Sequence, residues 1–568
     1  MEDEQLSPAE LWLAAFQQAS IGERLNHVCR QIVTEGLNRP GQVYVKHFCV
    51  WAANYGLFLI FAAVCPVSPS LEVPHGRLIF AKFLVWQHVA EAIGCRQGPL
   101  GGHSGMPNNW KYRLSIGTLK CPLTARVFGR HRTIVDVVVH ILFFAFALAF
   151  LVSPCYNWVA LRCLCACDVW IFLSDLSQFF ASTGHAYWSM LFSLCFPISC
   201  GQLAGAQLAL IFQWFFSGVG KVGPWFDYVN GPFIVQSKLL DMKGLRSLVV
   251  QLLFKSKDDL SPSTLGRVLG QLAAACEWAS PVLLMMPNAA VAGIGLAVIT
   301  SMHVYILLMP APFDVYSWNT CFMCSGIYLF YSGVGIGFDW MGALHMHWAM
   351  KAVLGAEFVL CWCGQFFPNH IGYYLSHRYW AGNWVQVHCF AKKTAEVRAK
   401  LDKVKSFSPN PLYVDSRPPW LEAFMQSMLY KALGYLWIAT FNMKCMVLLF
   451  EKAISLSGSA ESEMQYLTLP SYCFGEFRDL LYWEQVLPSV QEDVGFDTGE
   501  CVVIIFGSFG LASRSAFWKI IDMKKGVLTE GTVTRAELRR MHAFPTQSLD
   551  VPLRYNRETA LKQPLLPS

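Results

Sequence analysis

"TIVDVVVHILFFAFALAFLV", residues 133–152, decides the fold class. At 1.5 Å per residue a helix of this length reaches about 30 Å, the thickness of the hydrocarbon core of a bilayer. The stretch holds one acid, Asp136, and one histidine, His140. They stand four apart on one helix face, where an Asp–His couple that fixes helix packing is the expected role.

The surrounding chain extends the membrane character. Of its 568 residues 54% are hydrophobic and only 14% charged, against the roughly one-quarter charged of an ordinary soluble domain, which excludes a soluble metabolic enzyme. Further apolar runs cover 48–65, 78–94, 161–181, 187–197, 203–220, 265–286, 291–308, 318–332 and 351–367. Together they predict an all-α polytopic transmembrane bundle of about eight to ten spans. Basic residues gather in the connections 111–132 and 238–267, as in loops that orient helices, and form no nucleic-acid footprint.

The ends read differently. Residues 1–46 form an acidic, then amphipathic segment without the basic start and short apolar core of a cleaved signal. Residues 47–390 carry the transmembrane helical domain, and 391–458 form basic, amphipathic linker helices. A β-branched run bounded by glycines, "GECVVIIFGSFG", marks 459–553 as a small C-terminal α+β soluble domain, with a tail over 554–568.

Within the apolar runs the ionisable residues are the candidates for chemistry, because each costs about 2.5 to 3.5 kcal/mol in a bilayer unless it faces an interior and finds a partner. Lys221 ends the run "WFFSGVGKVGPW" between Gly220 and Val222, with Pro224 stopping the helix beyond it. A desolvated lysine can serve as a base near neutral pH; at a helix end it can also simply snorkel to water. Glu277 and His303 are isolated in later apolar helices, the first a candidate counter-ion for Lys221 and the second a candidate proton shuttle.

Other polar positions point to structure or transport. His88 and Glu91 precede a glycine-rich loop holding His103, which lacks the lysine–serine pattern of a phosphate loop. Asp168 and Asp175, seven apart, could line a polar path for protons or ions. Of the 20 cysteines most lie inside apolar runs, where they pack as small soft residues. Neither the series Cys163, Cys165, Cys167 nor the pair His345, His347 points its members at one ion from a helix, so no metal site is expected.

The ordered stretches "RLSIGTLKCPL" (113–123), "WFFSGVGKVGPWFDYVNGPFIVQS" (214–237), "DDLSPS" (258–263), "MHVYILLMPAPFDVYSWNTCFM" (302–323) and "SHRYWAGNW" (376–384) resemble an uncharacterised transmembrane family known as domain of unknown function 3556. That resemblance implies no particular activity. An apolar helix ending in aromatic-x-x-Gly-x-x-Lys and then Trp, from Phe215 to Trp225, with an isolated Glu and an isolated His in later helices, is also similar to the transmembrane module of vitamin K-dependent gamma-carboxylase. This second resemblance implies that Lys221 is a base acting on a lipophilic or quinone-like molecule. The carboxylase's large lumenal domain has no counterpart in the C-terminal pattern, so protein carboxylation is not implied.

The expectation is thus a multi-pass membrane enzyme with Lys221, Glu277 and His303 in catalytic roles, its partners the lipid bilayer and a lipophilic small molecule. The alternative is a non-catalytic transporter or scaffold whose soluble end recruits a protein. No cofactor is named by the sequence.

Overall fold

The computed structural model describes residues 19–36, 41–65, 73–93, 113–181, 183–241, 244–309, 316–331, 335–402, 434–435, 437–467, 480–541 and 554–555. Residues 1–18 of the N-terminal segment, the glycine-rich loop with His103, the basic stretch 403–433 and all but the first two residues of the tail lie outside them.

Ser20 opens helix α1 (Ile21–Glu35) with a capping box closed by Glu23. Helices α2 (Gly41–Val64), α3 (His75–Ala92), α4 (Ile134–Val152), α5 (Trp158–Ser174), α6 (Gly184–Leu194) and α7 (Gln202–Gly220) follow. After α7 come α8 (Asp227–Val235), α9 (Thr264–Leu284), α10 (Ala289–Leu308), α11 (Tyr316–Tyr331) and α12 (Trp348–Phe366). Polar side chains set the starts of several: Thr133 and Asp136 form a second capping box at α4, Ser263 caps α9 and Asn288 caps α10.

The expected eight to ten spans are corrected by the lengths and compositions of these helices. Among the described residues three helices are long and apolar enough to cross a bilayer, α4, α7 and α10, and a fourth apolar stretch, 48–64, is shorter. The reason lies in what interrupts the other runs. Helix α6 has 11 residues, about half the needed rise, while α3 carries Arg77, Lys82 and Glu91 in 18 residues. Hydrophobic content alone does not separate a helix that faces lipid from one that fills a protein interior.

The three differ in what they face. Only 33% of α4 and 22% of α10 is buried within the chain, leaving rows of apolar side chains such as Val135, Val138 and Leu142 on the protein surface, whereas α7 is 78% buried. Helix α7 is the centre of the bundle, packed by α6, α9, α11 and α12. Its glutamines are tolerated because each donates inside: Gln202 to the Leu194 carbonyl at 2.9 Å and Gln207 to that of Leu329 at 2.8 Å.

An open antiparallel sheet of six strands, in the order β2-β1-β3-β4-β5-β6, stands at one end of the bundle. Four strands come from the C-terminal stretch: β3 (Cys501–Phe506), β4 (Ser515–Asp522), β5 (Gly526–Thr534) and β6 (Arg554–Tyr555). The other two are β1 (Gln386–Lys392), which directly follows the bundle, and β2 (Met464–Leu467). Pairing of β1 with β3 in the register Gln386↔Phe506 to Ala391↔Cys501 makes β3 central, consistent with its unbroken run of buried residues.

The loop after β3 seats the sheet on the bundle through main-chain bonds. Ser508 and Asn369 exchange two hydrogen bonds, Phe509 and Asn383 exchange two more, and the Leu511 N–H donates to the Gln365 carbonyl at the end of α12 at 2.9 Å. Such paired amide bonds hold orientation as well as distance.

Lys444 lies at the same seam, 3% exposed, with its Nζ 3.8 Å from the centre of the Tyr228 ring and 3.5 Å from the Leu538 carbonyl oxygen. Burial brings its pKa down to about 7. A folded value below the unfolded one means that the unfolded chain holds the extra proton between the two, so stability rises with pH from about 7 towards the ordinary lysine range near 10. The midpoint of thermal unfolding in detergent should therefore climb between pH 7 and 9.5, and Lys444→Met should be more stable at pH 7 and lose much of that climb. An unchanged slope in Lys444→Met would show that this amine does not set it.

Candidate functional site

Gly218 is where the site begins. A Cβ there would collide with the backbone nitrogen of Trp278, so only glycine lets α9 press against α7 at this level. That contact places Glu277, 56 residues further along the chain, against the end of α7 where Lys221 forms the C-terminal cap. Lys221 and Glu277 make a short ion pair with both side chains buried. Trp225, whose indole donates to the Gly220 carbonyl at 2.9 Å, ties the chain after Lys221 back onto the helix.

Ser217, one turn before Lys221, completes the arrangement. It accepts from the Lys221 ammonium at 3.0 Å and donates to the second oxygen of Glu277 at 2.7 Å, so the three side chains close a ring. The i, i+4 spacing of Ser217 and Lys221 was legible in "SGVGK", but a serine in an apolar helix is more often bonded to its own backbone than to a partner on another helix.

His303 is engaged at both ring nitrogens. The Trp214 indole N–H, which can only donate, points at Nε2 at 2.9 Å, so Nε2 must hold a lone pair. The proton therefore sits on Nδ1 and is donated to Asn319 Oδ1 at 2.8 Å. This lock keeps the imidazole neutral and one-sided. Trp214 and Asn319 carried no signal in the sequence, since neither a tryptophan nor an asparagine identifies its partner from a distance.

Lys221, Glu277 and His303 all line one cavity of about 150 Å³. Most of its wall is apolar and aromatic, including Phe226, Trp318, Phe322 and Trp380. The Lys221 amine lies 5.5 Å from the Phe226 ring centre. A polar corner in an apolar chamber suits a molecule with one polar end.

Most of the other sequence candidates among the described residues lie elsewhere, with partners of their own. Asp136 pairs with Lys120 at 2.6 Å and caps its own helix, so the expected Asp136–His140 couple does not form; His140 Nδ1 instead bonds the Asp136 main-chain carbonyl at 2.7 Å. His88 bonds the Asp168 carboxylate at 3.0 Å, and Glu91 accepts from Tyr187 at 2.7 Å and from Thr183. Asp175 is held by Arg132 and Ser177. Arg113, Lys120 and Arg132, read from sequence as loop charge, are buried at this place. His347 caps α12 by accepting from the Ala349 N–H at 3.2 Å, while its neighbour His345 is exposed.

Comparison with known proteins matches residues 5–555 to a family described as "Transmembrane protein of unknown function (DUF3556)". No curated protein and no solved structure matches, so the similarity to gamma-carboxylase has only the quoted residues behind it.

Proposed function

We propose, for a chain that belongs to this transmembrane family of unknown function and is an integral, multi-pass membrane protein, that the Lys221–Glu277 pair does acid–base chemistry on a lipophilic molecule held in the cavity. The observation that supports it is a buried ion pair on the wall of an apolar chamber. Such a pair contributes little to stability, because the cost of taking two charges out of water offsets their attraction. Its presence on a cavity wall is better explained by function.

In a dry site the pair has two forms that differ by one proton shift along one hydrogen bond. Ammonium with carboxylate becomes amine with carboxylic acid. The amine form of Lys221 can then take a proton from a bound molecule, leaving an ammonium beside the protonated Glu277 and an anion on the substrate. Ser217 steadies the geometry by bonding both partners. His303, locked neutral, serves as a positioning residue on the cavity wall in this scheme.

Lys221→Arg is the test, since a guanidinium keeps the charge and cannot deprotonate near neutral pH. Wild type and Lys221→Arg would be purified with their native lipids, the retained molecules identified by mass spectrometry, and each molecule returned to both proteins. The expected result is a molecule retained by Lys221→Arg that only the wild type converts, with at least a hundredfold difference in rate, in the range of general-base catalysis. Equal conversion by both proteins, or no converted molecule at all, would overturn the proposal.

A further inference from the structure

The cavity is open rather than enclosed, and its lining residues show on which side. Lys221 and Glu277 lie at the buried end. Asn230 and Phe233 of α8, Ala273 of α9, and Met302, Tyr305 and Ile306 of α10 are half-buried, and α9 packs against both α8 and α10. Between α8 and α10 the contact is light. The Tyr305 hydroxyl donates to Asn230 Oδ1 at 3.4 Å, and its ring centre lies 6.0 Å from that of Phe233. Val304 and Leu308, beside Tyr305 on α10, are exposed apolar side chains. The rim therefore borders the outer, apolar flank of α10.

The level of the rim follows from the helices that carry it. Both α7 and α10 are long and apolar enough to cross a bilayer. Helices α9 and α10 are joined by residues 285–288 alone, so they run antiparallel. The first half of α9 lies beside the turn after α7, where Gln271 donates to the Gly223 carbonyl at 2.9 Å. Helices α7 and α10 thus end at the same level, where α9 begins. Lys221 caps the end of α7, and Tyr305 stands three residues before the end of α10, about 5 Å along its axis. A tyrosine near the end of a membrane-crossing helix sits at headgroup depth.

We infer that the rim between α8 and α10 is a lateral portal, through which a single-chain amphiphile of the membrane passes its polar end to Lys221 and Glu277 while its chain stays in the bilayer. This rests on the cavity being the ligand site proposed above. A volume of about 150 Å³ matches a single six-membered ring, so most of a lipophilic molecule has to remain outside. Outside this rim is the apolar flank of a membrane-length helix, which keeps the chain out of water. An amphiphile whose polar end already rests at the interface reaches the ion pair without changing its depth. One long hydrogen bond and one ring contact hold the rim, and rotation of the Tyr305 and Phe233 side chains parts both.

The full-length protein in nanodiscs would be photolabelled with dodecanol carrying a diazirine near its hydroxyl end and, separately, with butanol carrying the same group. Mass spectrometry then maps the labelled residues. Dodecanol should label the buried lining residues Phe226 and Val229 as well as the exposed Val304 and Leu308, which serve as the outer reference. Butanol, held mainly in water, should label the inner pair several-fold less. Ala273 stands one turn before Glu277 on the same face of α9, so Ala273→Phe narrows the rim and should cut inner labelling by dodecanol about tenfold while the outer label stays. Phe233→Ala widens the rim and should raise the inner label relative to the outer; this variant decides the matter if Ala273→Phe does not fold. Inner labelling by butanol equal to or above that by dodecanol would mean entry from water and overturn the inference. No inner label from dodecanol, or an inner-to-outer ratio unchanged in Phe233→Ala, would overturn it as well. Lys221→Arg should keep the inner label. If Lys221→Arg also keeps turnover, the acid–base proposal fails and the portal stands; if it loses turnover while dodecanol never reaches the inner pair in the wild type, the reverse holds.

Discussion

Lys221→Met is expected to lose about 3–5 kcal/mol of stability, and Glu277→Met a similar amount, whereas the double variant should recover most of either loss. Each single change leaves the opposite charge on an apolar wall with Ser217 as its remaining partner. The double change removes both charges and substitutes side chains that fill the same space, an exchange that is often neutral or stabilising for a buried pair. Thermal unfolding in detergent, compared across the four proteins, gives the coupling directly. Catalysis should not follow stability: the double variant should be folded and inactive. A double variant whose loss equals the sum of the singles would mean that the two side chains contribute independently, and that the ion pair is not the organising contact of the site.

The second large effect concerns Asp175. A transport role predicts that Asp168→Asn and Asp175→Asn abolish flux while the fold survives. The geometry predicts something else for Asp175. Its carboxylate and the Arg132 guanidinium are both fully buried, and Asp175 also accepts from Ser177 and from the Cys121 N–H at 3.4 Å. Loss of its charge breaks a fully buried ion pair with Arg132, at a cost of about 3–5 kcal/mol. Asp175→Asn should therefore express poorly, run as aggregate on size exclusion and unfold well below the wild type. Asp168→Asn should be milder, because an amide oxygen can still accept from His88. A monodisperse Asp175→Asn with an unchanged unfolding midpoint would return Asp175 to the list of residues available for transport.

These expectations show how much was legible in the chain. Composition and the run 133–152 were enough for a membrane protein, since about 20 apolar residues have few other uses. Lys221 was visible because a lysine directly after Gly220 at the end of an apolar run breaks the local pattern. The central strand 501–506 was visible from its β-branched residues between glycines. The count of spans was not, because an apolar stretch reads the same whether it meets lipid, as on α4, or protein, as on α7.

Side-chain pairing was the least legible. Asp136 and His140 share a helix face, yet Lys120 takes the carboxylate from a segment that sequence placed in a loop. Spacing along a helix lists which partners are within reach, and the neighbours that fold against it decide which is taken.

By itself the sequence determined that the chain is apolar enough to live in a bilayer, and that Lys221 is out of place among its neighbours. Tertiary structure alone decided that α7 is the buried centre, that Gly218 lets α9 approach closely enough for Glu277 to meet Lys221, and that Trp214 and Asn319 hold His303 in one tautomer. The physical reason is range. Hydrophobicity and helix period act over a few neighbouring residues, while an ion pair between residues 56 apart exists only where two helices cross at the right height.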